Sequence, residues 1–353
     1  MSGSGEKMKR NSNMELLRIW AMLLVMLIHG CFMSIGLPSR SEALHAPIAT
    51  FAIFCQESLS VVCVDTFVLI SGWFGIYWNR GKLLSLLFQV FFFSILIYAA
   101  FLIYDPSAYL SADKLGTVLM IHTSDYWFVK SYIVLFLFAP VLNSFMASAG
   151  RREAGCFLLM FFLVQSVYGW ASINGAAEFQ GGYSALSFFG LYALARYIRI
   201  HGIPCAGWDI NRFSWKRYLF GYFFIAVSLA VLALIVTRLG LPVAGRIFTY
   251  TNPLVILESV CLMLAFSVRT PFYNKKVNWV ANSCFAVYLL HANELILRPY
   301  YAGFLHGVYV KYELPFYFVV MMVFIAVLFV ISILLDKIRL KFWNVIADRI
   351  WPN

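Results

Sequence analysis

Apolar runs long enough to cross a bilayer recur along the chain, each closed by a short polar or basic stretch. They fall at about 14–36, 48–77, 83–104, 127–148, 154–170, 182–200, 217–238, 253–270, 279–300 and 315–336. Most match the roughly 20 residues that a helix needs to span a hydrocarbon core. The run at 154–170 is short, and the Gly181-Gly182 pair blurs where the run after it begins. The alternation that marks membrane β-strands is absent, and lipid leaves a chain no other way to satisfy its backbone than a helix. The pattern predicts an all-α polytopic membrane protein of about ten transmembrane helices. One transmembrane domain covers 14–336, between an N-terminal tail at 1–13 and a C-terminal tail at 337–353.

Composition agrees with that pattern. The 353 residues are 62% hydrophobic and 12% charged, with a mean hydropathy of +0.80. A soluble domain carries about twice that share of charge, so an ordinary soluble enzyme is excluded. The net charge of +11 would suggest a nucleic-acid partner in a soluble protein. Here the basic residues sit in short loops between apolar runs, so they read as topology determinants. With the N-terminus inside, nineteen Lys and Arg residues fall on the inner side, among them Lys7, Lys9, Arg10, Arg80, Lys82, Arg196 and Arg199. Five fall on the outer side: Arg40, Lys114, Arg238, Arg246 and Lys311. Both termini are therefore expected to be cytoplasmic. The first run contains Glu15 and Arg18 and lacks a small-x-small cleavage site, so it reads as an uncleaved helix. The seven cysteines, Cys205 among them, have neither a disulfide framework nor metal-ligand spacing, and no metal site is expected.

Ionisable side chains inside membrane spans are costly and therefore candidates for function. On the first helix, Arg18 and His29 are eleven residues apart, about three turns plus 20°, so they share a face about 16 Å apart. Glu15 precedes Arg18 by three residues and is placed to pair with it. A neutral imidazole at depth is a natural general base, and His29 in that role would have to face a cavity rather than lipid. The second run adds Glu57 and Asp65, and Asp65 has no opposite charge at helical spacing. Its Ser71-Gly72 step reads as a point of close packing or bending. The ninth carries Tyr288-Leu289-Leu290-His291, with His291 at a depth similar to His29, which suggests one shared polar cavity. Trp127, Lys130 and Arg298 are weaker candidates near the outer face.

These residues also fall into a recognisable order. Arg18-x10-His29 within Arg10 to Met22 resembles the opening of the acyltransferase-3 family of integral membrane acyltransferases. Asp65-Thr66-Phe67-Val68-Leu69-Ile70-Ser71-Gly72 looks like that family's second signature, Tyr126-Trp127-Phe128 with Ala139-Pro140 like its fourth helix, and Tyr288-Leu289-Leu290-His291 like its late motif. The resemblance implies transfer of an acyl group, commonly acetyl from acetyl-CoA, to a hydroxyl or amine of a glycan or lipid-linked sugar, at a bacterial cytoplasmic (inner) membrane. It implies that His29 is the catalytic histidine and Arg18 its helix partner. The arginines that often follow the family's second signature are reduced here to Arg80, with Lys82 beside it, as candidates for CoA binding. On physical grounds, the basic inner loops suit a polyanion such as CoA. Asp65 or Tyr288 would orient the imidazole, His291 would share its cavity, and Arg18 would stabilise an anion near the inner surface.

Two rival classes remain at this stage. A secondary transporter also gathers ionisable groups at the midplane, and a structural membrane subunit would use such charges to hold helices together. The expected partners are acyl-CoA, a glycan or lipid-linked sugar acceptor, and membrane lipid, with no nucleic acid.

Overall fold

A computed structural model of the chain describes residues 11–120, 126–172, 177–203 and 208–350. Lys7, Lys9, Arg10 and Cys205 lie outside the described residues. The described residues are predominantly helical and contain no strand. Seven helices are long and apolar enough to cross a membrane, and one bent pair would make an eighth. The coarse expectation of a many-helix membrane protein therefore holds.

The first helix, α1 (Ser12–Phe32), starts where the Asn11 side chain accepts the Asn13 N–H, satisfying one of the donors that a helix start leaves open. Its first turn is tied to the segment 269–272: Ser12 N–H donates to the Phe272 carbonyl, and the Asn13 amide donates to the carbonyls of Arg269 and Thr270. The second span is two helices in sequence, α2 (Pro47–Val61) and α3 (Cys63–Phe74), with Val62 between them. It is the most enclosed of the spans. It ends at Gly75, whose φ of +78° suits a residue without a Cβ. Ser71-Gly72 proves to be a packing point. A Cβ on Gly72 would come within 2.4 Å of the Tyr192 carbonyl oxygen, so α3 and α7 (Ala185–His201, defined with its neighbours below) touch backbone to backbone.

Next in the chain come α4 (Arg80–Tyr104), α5 (Trp127–Ser148) and α6 (Arg151–Val164), the last continued by a π turn over Gln165–Ala171. They lead into α7, followed by α8 (Trp215–Arg238) and α9 (Pro253–Ser267). Helix α9 begins with Pro253 in its first turn and an Asn252 side-chain cap, a favoured helix start. The ninth apolar run is interrupted. It forms α10 (Lys275–Ala281) and α11 (Cys284–His291), and then resumes through a π turn, Leu297–Ala302, into α12 (Gly303–Lys311). The two halves meet at 60°, and the break falls directly after His291. The last helix, α13, runs over Leu314–Ile350. It continues well past 336, because Asp336 and Arg339 are buried partners within it rather than the beginning of a polar tail.

The ends of the helices sort into two faces. One face holds the start of α1, the Arg269 guanidinium stacked over Trp215, and Arg199 stacked over Trp73. The other holds Arg40, which donates to the Arg238 carbonyl, and Leu37 packed near Gly245.

Candidate functional site

His29 sits near the C-terminal end of α1, about 10 Å past the middle of that helix. Its Nδ1 lies 3.1 Å from Nε2 of His291 on α11. The other nitrogen of His291, Nδ1, lies 2.5 Å from the Val287 carbonyl oxygen one turn back in the same helix. These contacts determine where the protons lie. A carbonyl only accepts, so His291 Nδ1 carries the hydrogen and its Nε2 is left as an acceptor. His29 must then donate from Nδ1, which leaves the lone pair on His29 Nε2 unused.

His29 is part of the wall of a cavity of 210 Å³. Met22, Val25 and Ile28 of α1 line it as well, with Glu57, Cys63, Val64 and Phe67 from the second span. Across from them stand the rings of Trp127, Phe128, Tyr183, Tyr250 and Tyr288. Phe32, Met33, Leu37 and Gly245 extend the wall to the face opposite the start of α1. His29 thus faces a cavity, as a base must.

The backbone around His29 is held on both sides. Tyr301 donates to the Met26 carbonyl at 2.7 Å, and Tyr317 donates to the Gly30 carbonyl at 2.6 Å. Gly30 lets α13 approach, since a Cβ there would meet the Met321 sulfur at 2.8 Å. The break after His291 is fixed in the same way. Tyr126, held at a φ of +53°, donates its hydroxyl to the Leu289 carbonyl and accepts from the Asn293 amide. A non-glycine residue in that region costs energy and is kept by its surroundings. Here the surroundings are the two bonds that set the end of α11.

The other expected residues are placed as follows. Tyr288 is in the cavity wall, its ring edge-on to His291 at 6.3 Å. Asp65 is fully buried and neither of its carboxylate oxygens has a hydrogen-bond partner. It interacts electrostatically with Glu258 of α9, whose carboxylate is buried and unpartnered in the same way. Asp65 therefore does not orient the imidazole of His29; His291 does. Arg18 lies toward the N-terminal end of α1, paired with Glu15 at 2.6 Å and 29% exposed. Arg80 and Lys82 are exposed in the first turn of α4. Lys130 and Arg298 are not among the residues lining the cavity, whereas Trp127 is.

Sequence reasoning missed two cationic residues on α7. Arg199 lies over the Trp73 ring at 4.7 Å. Arg196 reaches Gly75, where a Cβ would stand 3.2 Å from its guanidinium, and its buried Nε has no hydrogen-bond partner. Both cover the end of the second signature, at the place where the sequence offered only Arg80 and Lys82. The spacing Arg196-x-x-Arg199 was visible in the sequence, but nothing in it said that α7 packs on α3. Tyr183 and Tyr250 were missed for a similar reason, since both come from segments between spans.

In comparison with known families, the acyltransferase-3 model, described as an acyltransferase domain, matches residues 11–337. No curated protein and no solved structure matches the chain.

Proposed function

Since the chain belongs to the acyltransferase-3 family and is a multi-pass membrane protein, we propose that it moves an acetyl group from acetyl-CoA to a hydroxyl of a surface glycan or lipid-linked sugar. The observation that carries this reading is the chain of contacts from the Val287 carbonyl through His291 to His29, which leaves one imidazole nitrogen of a cavity-lining residue without a proton. In the reaction, His29 Nε2 takes the acceptor's O–H proton as its oxygen bonds to the thioester carbonyl carbon. The C–S bond then breaks, and the imidazolium returns the proton to the leaving thiolate, so that an ester and a free thiol result. His291 acts by holding the ring and its tautomer, as the acid behind the histidine does in hydrolytic triads.

The donor is assigned to the face where α1 begins. Ten spans with both ends cytoplasmic follow if the seven long helices are joined by the bent pair, α7 and α9. That face would then be cytoplasmic and rich in Lys and Arg. Arg196 supports the assignment, because a guanidinium nitrogen buried without a partner suits an incoming phosphate oxygen. Arg199, Arg80, Lys82 and Arg18 add positive charge on the same side. The acceptor would approach through the opposite mouth of the cavity, and the membrane would be the bacterial inner membrane.

The test uses the purified full chain in nanodiscs with acetyl-CoA, following release of free CoA thiol. Wild type should release CoA, and His29→Ala should lower the rate by about 10³–10⁴-fold while melting at a similar temperature. Equal rates in the two proteins would refute the role of His29. Solute counterflow that survives His29→Ala, without CoA release, would favour a transporter.

A further inference from the structure

The cavity that His29 lines also holds a cluster of aromatic rings in mutual contact. Trp127 lies 4.4 Å from Tyr183 and 6.0 Å from Tyr250, and the two tyrosines lie 5.1 Å apart. All three line the cavity. They come from the start of α5, the segment before α7 and the segment before α9, so three separate parts of the chain converge on one surface.

Glu57 of α2 belongs to the same cavity. It is only 3% exposed, and its carboxylate interacts by hydrogen bond with the Cys31 thiol, a weak donor. A carboxylate offers about four acceptor positions, and burying one that is so poorly matched is costly. A partner rich in O–H donors would offset that cost.

Aromatic rings and a buried carboxyl lining one cavity describe a particular kind of ligand. It has a flat apolar face and a rim of hydroxyls. A hexopyranose ring has both, with C–H bonds across its face and hydroxyls at its edge. An alkyl alcohol would meet the rings and leave Glu57 with the Cys31 thiol as its hydrogen-bond partner.

We propose that Trp127, Tyr183, Tyr250 and Glu57 form the acceptor subsite, with a hexopyranose ring stacked on the aromatic residues. Glu57 accepts from the hydroxyl next to the reacting one, and so selects acceptors that carry a vicinal pair of hydroxyls. This rests on the acyl-transfer reading above and assigns it residues on the acceptor side.

The experiment measures CoA release from acetyl-CoA by the full chain in nanodiscs. The acceptors are methyl glucoside, methyl galactoside and methyl mannoside, compared with cyclohexanol. Wild type should prefer at least one glycoside to cyclohexanol in kcat/KM by about 30-fold or more, since a site built to bond a hydroxyl rejects analogues without it. Glu57→Gln and Trp127→Leu should each reduce that preference to under about threefold. In Trp127→Leu the loss should fall mainly on KM, and Trp127→Phe, which keeps a ring, should retain part of the preference. Wild type that turns over cyclohexanol as well as every glycoside would overturn the subsite, and so would preference retained in both variants. Wild type that releases no CoA with any acceptor or with water would instead refute acyl transfer itself, and the subsite with it.

Discussion

The two ends of α1 hold their polar groups in different ways. At the N-terminal end, proposed as the inner one, Arg18 bonds to Glu15 one turn away on the same helix and stays partly exposed. At the C-terminal end, proposed as the outer one, His29 bonds to His291 on another helix, with Tyr301 and Tyr317 gripping the backbone on either side. The first pair is made within one turn of one helix. The second cannot move without moving α11 and α13. One helix thus joins an end whose ion pair is local to an end tied to two other helices, and the proposed reaction assigns the charged donor to the first and proton transfer to the second.

A second ion pair of the same spacing sharpens the contrast. Arg339 and Asp336 are also three residues apart, but they are 2% and 0% exposed, and Gln89 donates to the same Asp336 oxygen. Removing one member of a buried pair strands the other, at a cost of about 3–5 kcal/mol. Asp336→Ala should therefore lower the melting temperature strongly. If it melts like wild type, the buried pair is not holding α13 in place.

The next effect in size concerns the outer end. His291→Ala removes the acceptor for His29 Nδ1–H and frees the tautomer, and kcat should fall by about 10²–10³-fold. KM for acetyl-CoA should change little, because the basic residues assigned to CoA's phosphates lie at the other end of the molecule, away from the thioester. A rise in KM with kcat unchanged would break the distinction between the two ends. Tyr317→Phe deletes the bond to the Gly30 carbonyl and the contact with the Ser34 hydroxyl, and should cost about 1 kcal/mol of stability with a several-fold loss of kcat. The smallest effect belongs to the N-terminal end of α1, where Glu15→Gln keeps the shape of a buried side chain beside a partly exposed Arg18, and should change stability less than Tyr317→Phe does. Its effect should appear instead as an altered KM for acetyl-CoA; unchanged kinetics would detach Arg18 from the donor.

Much of this was legible in the sequence, for physical reasons. Lipid demands long apolar helices, so spans such as 127–148 and 217–238 could be read almost to their ends. Depth along a helix is countable, which placed His29 and His291 at a similar level. The two rings meet directly, and of the pair only His29 is among the residues lining the cavity, so the shared cavity expected from the sequence is a direct contact instead. The breaks at Val62 and after His291 were not legible, because each lies within an apolar run and depends on contacts such as the Tyr126 clamp. The end of the last helix was misjudged because Asp336 and Arg339 look like the start of a polar tail until their burial is known. Asp65 stood out in the sequence as an acid needing a partner, yet it faces a second buried acid, Glu258, that the sequence reading passed over. The aromatic wall was the least legible part, since spacing within one helix says nothing about segments between spans.

The central claim is that His29 keeps its proton on Nδ1, shared with His291, and offers a bare Nε2 to the acceptor. The most direct measurement is ¹⁵N NMR of the full chain labelled at its histidine rings, with the His29 signals assigned by their loss in His29→Gln. A protonated Nδ1 and an unprotonated Nε2 on His29 are predicted, with the tautomer becoming mixed in His291→Ala. A proton found on Nε2 in the wild-type protein would contradict the account.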